Sequence, residues 1–187
     1  MPTIDPAISW TISLALALVF GASATIKFAD FSEFRGALEN YRIVPEETSM
    51  LVAAIVPVIE LVAAIGLLVP RFHLTAVAML IFLLAIFTTA IAINMIRGRL
   101  DIDCGCFGPM LRQPLSNWLL ARNGVLMLLA GFVALPHDQR AVTALDVVTI
   151  TLGASTLVLL YGAANFLLAN APASNKMKRF AMEPVDA

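Results

Sequence analysis

Residues 73–96 read HLTAVAMLIFLLAIFTTAIAINMI, with no Asp, Glu, Lys or Arg from one end to the other. A helix rises about 1.5 Å per residue and bilayer hydrocarbon is about 30 Å thick, so a run of about 20 apolar residues crosses it. Four further runs are mostly apolar and of similar length: residues 8–28, 50–69, 117–135 and 144–169. Backbone amides find no water in hydrocarbon, so apolar runs of this length form helices rather than barrel strands. The predicted fold class is all-α, a polytopic membrane bundle of about five transmembrane helices over residues 1–170 with a polar C-terminal tail over 171–187.

Composition agrees. Of the 187 residues 60% are apolar and 13% are charged, against about 25% charged in ordinary soluble domains. The net charge of −1 supplies no field for nucleic acid, and no basic patch is interleaved with aromatics. Met1-Pro2-Thr3-Ile4-Asp5-Pro6 lacks Lys and Arg, which predicts a retained first helix rather than a cleaved leader. No internal repeat of the kind that builds transporters from duplicated halves is visible.

The links alternate in length. Residues 30–49 are long and polar, and the spacing of Phe31, Phe34, Leu38 and Tyr41 predicts an amphipathic helix on the membrane surface. Residues 70–72 and 136–143 are short, and residues 97–116 are long again. Five crossings put both long links and the tail on one side.

The second long link holds the chain's two cysteines in Asp103-Cys104-Gly105-Cys106-Phe107-Gly108-Pro109. Two cysteines are too few for a disulfide framework or, alone, for tetrahedral zinc. A disulfide needs Cα atoms about 4.4–6.8 Å apart, which residues i and i+2 reach only where the chain bends. Gly105 permits the bend, and Gly108-Pro109 closes it in a turn, so the pair is expected to be constrained and accessible. Strained, exposed disulfides have oxidising potentials and exchange readily, which makes Cys104 and Cys106 the candidate catalytic residues. Two other readings remain: structural cysteines, packed as thiols or joined in a static staple, and a copper(I) site.

Polar residues inside the apolar runs come next. Glu60 sits mid-run, where a carboxylate has to be neutral, paired or turned inward; a site role and a packing role both fit. Lys27, Asn94, Arg122 and Asn123 lie toward the helix ends that meet the cysteine loop. Lys27 also fits a lysine snorkelling to the interface. The permanent charge of Arg122 needs a carboxylate, carbonyl or ligand, and Glu60 is one candidate partner. Together these residues describe a cationic recess below a dithiol, suited to stabilising a thiolate or to holding the polar head of a membrane quinone. Lys27, Glu60, Arg122 and Asn123 are thus candidate cofactor-binding residues. The aromatics Phe82, Phe87 and Trp118 fit ordinary packing and interface anchoring. His73 and His137 fall in short loops on the opposite face and read as solvated.

These features resemble the methylamine utilisation protein MauE family, membrane proteins related to DoxX-like four-helix proteins. The resemblance rests on Phe20-Gly21-Ala22-Ser23-Ala24-Thr25-Ile26-Lys27-Phe28, Tyr41-Arg42-Ile43-Val44-Pro45, Glu60, the cysteine loop and Arg122-Asn123, and covers the chain to about residue 135. It implies a four-helix core plus a C-terminal helix in a bacterial inner membrane. It further implies a role in maturing periplasmic methylamine dehydrogenase, whose small subunit is rich in disulfides, together with a thioredoxin-like MauD partner.

Sidedness is contested by charge. The face with the long links and tail holds Lys27, Arg35, Arg42, Arg97, Arg99, Arg112, Lys176, Lys178 and Arg179, and the other holds Arg71 and Arg140. The positive-inside rule puts the cysteine loop in the cytoplasm, whereas a thioredoxin-like partner outside needs it in the periplasm. The expectation adopted is periplasmic. Three functions follow from the sequence: a membrane thiol–disulfide oxidoreductase, a non-enzymatic scaffold docking the maturation partner, and a small-molecule or metal transporter using Glu60 and Arg122.

Overall fold

A computed structural model describes the backbone of residues 5–105, 113–136 and 140–182, with side chains as far as residue 169. These residues form six helices and no strand: α1 Pro6–Ala29, α2 Phe31–Tyr41, α3 Glu46–Leu67, α4 His73–Ile96, α5 Asn117–Val133 and α6 Ala144–Met182. Each of the five apolar runs lies in its own helix. Four are long and apolar enough to cross a membrane, and α5, with 17 residues, is shorter but within the lower limit for a span. The protein is a helical membrane bundle.

Local signals set the ends. The Asp5 carboxylate accepts the Ala7 N–H at 2.8 Å and Pro6 opens α1, the preferred chemistry for a helix start. α2 stops where Arg42 turns left-handed at φ 49°.

α1, α3, α4 and α5 contact one another in a closed ring, and Leu16, Phe20, Leu67, Leu80, Leu126 and Val133 fill its interior. Lipid tails are as apolar as leucine, so helices in a bilayer associate by close packing, which small residues allow. Ala24, Ala53, Ala63 and Ala130 are accordingly buried without residual exposure. α6 stands outside the ring against α1. There a Cβ on Gly153 would lie 2.9 Å from Thr11 Cγ2, and Thr11 is held in place by its hydroxyl bond to the Ala7 carbonyl at 2.7 Å.

α2 is amphipathic as its spacing predicts, but its apolar side faces protein: Phe34, Ala37 and Tyr41 are buried. Arg35 Nε donates to Glu39 Oε1 at 2.7 Å, and Ser49 Oγ donates to the same oxygen at 2.7 Å, fastening α2 to the start of α3. The Ser49 hydroxyl and then Arg35 hold the Glu39 carboxyl below its ordinary value.

At the opposite face Arg140 bonds Asp5 at 2.9 Å and Asp146 at 2.7 Å, joining the starts of α1 and α6. Arg140 and then the Ala7 N–H hold the Asp5 carboxyl below its usual range. This tie is therefore complete at neutral and mildly acidic pH and is lost as pH falls through that lowered value. His73 departs from the solvated reading: its Nε2 lies 3.1 Å from Ser13 Oγ and its ring packs edge-on to Trp10 at 6.4 Å. One run's first residue thus packs against another helix. His137 lies outside the described residues.

Gly153→Val places a branched side chain against Thr11 and is expected to destabilise the α1–α6 contact by about 1–3 kcal/mol, read as a lowered Tm in detergent. Adding Thr11→Ala to that variant restores much of the loss.

Candidate functional site

The chain leaving α4 turns at Gly98, φ 72°, and is stitched to α2 by Arg99. Its guanidinium donates to the Asn40 carbonyl at 2.9 Å, to the Tyr41 carbonyl at 3.5 Å and to Asn94 Oδ1 at 3.2 Å. The loop then folds back on itself. The Cys104 N–H donates to the Gln113 carbonyl at 3.0 Å and the Leu115 N–H to the Leu100 carbonyl at 3.0 Å. Asp103 Oδ1 accepts the N–H groups of Gly105 at 3.3 Å and Gln113 at 3.2 Å.

Gly105 has φ 70°, and a Cβ there would meet Ala37 Cβ at 2.9 Å. Both facts require glycine. They also show how closely α2 lies over the loop.

Cys104 is disulfide-bonded, and Cys106, the chain's other cysteine, lies outside the described residues. Cys104 is not the accessible residue that its loop position predicts. It is buried among Tyr41, Ile91, Leu115 and Leu119, because α2 and the start of α5 close over it. The Tyr41 hydroxyl donates to the Cys104 carbonyl at 3.5 Å. Burial and then the Asp103 charge push that hydroxyl above its ordinary value, keeping it a donor.

Arg122 and Asn123 come from the second turn of α5, and both are buried. Arg122 Nη2 lies 3.9 Å from Cys104 Sγ and 3.3 Å from Asn123 Oδ1. Arg122 Nη1 donates to Asn165 Oδ1 at 3.1 Å and to Gln113 Oε1 at 3.4 Å. Gln113 Nε2 in turn donates to the Asn165 carbonyl at 3.0 Å, and Asn123 Nδ2 to Thr88 Oγ1 at 3.2 Å. These contacts replace Glu60, the partner that the sequence offers for Arg122.

Glu60 pairs with Lys27 instead. Lys27 Nζ donates to Glu60 Oε1, and both side chains are 3% exposed. Lys27 therefore turns inward rather than snorkelling. The rings of Phe34 and Phe87 lie 5.1 Å and 5.0 Å from its nitrogen, within cation–π reach. Glu60 Oε2 is buried with no hydrogen-bond partner among the described residues.

The structure thus gathers Cys104, Lys27, Glu60, Arg122, Asn123 and Asn94 at one end of the bundle, but in two groups. Arg122 and Asn123 attend the sulfur, while Lys27 and Glu60 join α1 to α3. Gln113, Asn165 and Tyr41 belong to the sulfur group; the sequence points to Tyr41 only through the amphipathic spacing and the family resemblance, and not to Gln113 or Asn165. Asn165, an amide inside an apolar run, carried a usable signal; Gln113 carried none. Beside the loop a cleft of about 580 Å³ opens between α1, α2 and the cysteine loop, with Asp30, Glu33, Asp101 and Asp103 in its walls and Lys27 among its lining residues.

A family model described as "Methylamine utilisation protein MauE" matches residues 5–136. The chain belongs to the MauE family. Similar relatives include the methylamine utilization protein MauE of Paracoccus denitrificans, 38% identical over 92% of this chain and 95% of the relative. The MauE of Paracoccus versutus is 39% identical over 87% and 88%, and that of Methylophilus methylotrophus 33% identical over 93% of each. No solved structure matches. The MauE family serves methylamine utilisation, and its model matches α1 to α5 with the cysteine loop, so most of the gathered site lies within the family region. Asn165 lies beyond it, on α6.

Removing one member of a buried ion pair leaves the other charge uncompensated, at a cost of about 3–5 kcal/mol. Glu60→Gln is expected to lower stability by that order, read by thermal unfolding in detergent. Lys27→Met with Glu60→Leu recovers most of it, and a double-mutant cycle isolates the coupling.

Proposed function

We propose that this MauE-family protein is a thiol–disulfide oxidoreductase of the bacterial inner membrane. In this reading its Cys104–Cys106 pair oxidises a thioredoxin-like MauD-type partner and so supports disulfide formation in the small subunit of methylamine dehydrogenase. The observation that carries the reading is the Arg122 guanidinium beside Cys104 Sγ, inside a network of buried amides. A cation held there favours a thiolate over a thiol.

Chemistry follows from the burial of Cys104. A partner thiolate attacks the Cys106 sulfur, the bond between the two cysteines breaks, and Cys104 departs as a thiolate facing Arg122. A stabilised leaving thiolate accelerates exchange. The partner's second thiolate then attacks the mixed disulfide and releases Cys106. The partner loses two electrons and gains a disulfide, and the pair on this chain gains both electrons. In this reading the cleft between α2 and the loop gives the partner its approach, and the loop lies on the periplasmic side.

Cys104→Ser and Cys106→Ser are each expected to abolish methylamine dehydrogenase maturation in cells; full maturation in both variants overturns the proposal. Arg122→Gln should slow exchange about tenfold or more at pH 7, with recovery at pH 10, where thiols ionise unaided. After reduction, a membrane-impermeant maleimide should label the loop from the periplasmic side of intact spheroplasts. Labelling confined to inverted vesicles would place the loop in the cytoplasm.

A further inference from the structure

α6 packs on α1 outside the ring, and an apolar groove of about 220 Å³ lies between it and α5. Of its described side chains, over residues 144–169, Ala154 and Asn165 alone are buried. An amide on such a helix is costly unless it finds partners, and Asn165 finds them at the sulfur site. Its Oδ1 accepts from Arg122 Nη1 at 3.1 Å, its Nδ2 donates to the Tyr161 carbonyl at 2.7 Å, and its main-chain carbonyl accepts from Gln113 Nε2 at 3.0 Å. With Nδ2 committed to a carbonyl, the oxygen is the end that faces the guanidinium, which carries donors only.

These contacts close a circuit. Arg122 Nη2 lies 3.9 Å from Cys104 Sγ, the Cys104 N–H donates to the Gln113 carbonyl at 3.0 Å, and the Gln113 side chain returns to Asn165. One residue of α6 therefore braces both the cation beside the sulfur and the segment that holds the cysteine's backbone. We propose that Asn165 is a positioning residue for thiol–disulfide exchange, holding the Arg122 guanidinium against Cys104 Sγ as that sulfur leaves as a thiolate. The proposal rests on the thiol–disulfide reading above and extends the machinery to α6, beyond the family region. An arginine head rides on a flexible stem, and its attraction for a thiolate falls with distance, so its charge acts at the sulfur only while other contacts keep it there. Gln113 Oε1 accepts from the same Nη1 at 3.4 Å, which makes the Asn165 bond the shorter of the two.

The full-length protein in phosphatidylcholine nanodiscs tests this. In a Cys106→Ser background the Cys104 thiolate is titrated by its ultraviolet absorbance, with the Cys104→Ser, Cys106→Ser protein as baseline. Arg122 from α5, Tyr41 from α2 and Asp103 of the loop surround Cys104, and α4 adds the apolar Ile91; all four stay unchanged when Asn165 is replaced. Asn165→Leu, and Asn165→Ala as the smaller replacement, should each raise the midpoint by about half a pH unit or more, a threefold change in acidity. With both cysteines present, each should slow opening of the disulfide by dithiothreitol about threefold at pH 7. In the Arg122→Gln background, replacing Asn165 should shift the midpoint no further. Gly153→Val, which loosens α6 from α1 away from the circuit, should lower Tm and leave the midpoint where it is. Asn165 variants with the parent's midpoint, or a shift of equal size in the Arg122→Gln background, overturn the proposal and leave Asn165 a packing residue while the thiol reading stands. An Arg122→Gln variant with the parent's midpoint, or a disulfide that dithiothreitol does not open, removes both.

Discussion

A polar group inside hydrocarbon has to bring its own partner, and this constraint organises the whole molecule. Lys27 on α1 and Glu60 on α3 satisfy it by pairing across the bundle with both side chains almost wholly buried. The aromatic faces of Phe34 and Phe87 cover the ammonium, so α2 and α4 are drawn to the same point. Four of the six helices thus meet at one ion pair. The small residues along α1 and α3 let the backbones come close enough for it.

The same rule shapes the sulfur site by a different solution. Arg122 is surrounded by amide and sulfur acceptors from α5, α6 and the cysteine loop. These acceptors hold the guanidinium beside Cys104 Sγ. Glu60 is committed to Lys27, and Arg122 lies beside Cys104 Sγ instead.

α2 connects the two sites. Its Phe34 covers Lys27, its Ala37 abuts Gly105 and its Tyr41 hydroxyl bonds the Cys104 carbonyl. Burial of Cys104 is the result, and it divides the labour between the two cysteines in the proposed exchange.

Hydropathy by itself determined the five apolar helices, because the length of a run and the thickness of hydrocarbon admit one common solution. The cysteine spacing and the intramembrane charges likewise marked Cys104, Lys27, Glu60 and Arg122 in the linear chain. Pairing was decided only in three dimensions. Glu60 could reach either cation as far as chain order tells, and the rotation of α1 and α5 about their axes gave it to Lys27. Gln113 and Asn165 joined the site because a folded-back loop and an outer helix brought them to Arg122 from sequence distances of 9 and 43 residues. Period and polarity report which residues must be buried, but the partner of a buried group depends on helix order and azimuth, which close packing of the whole bundle sets.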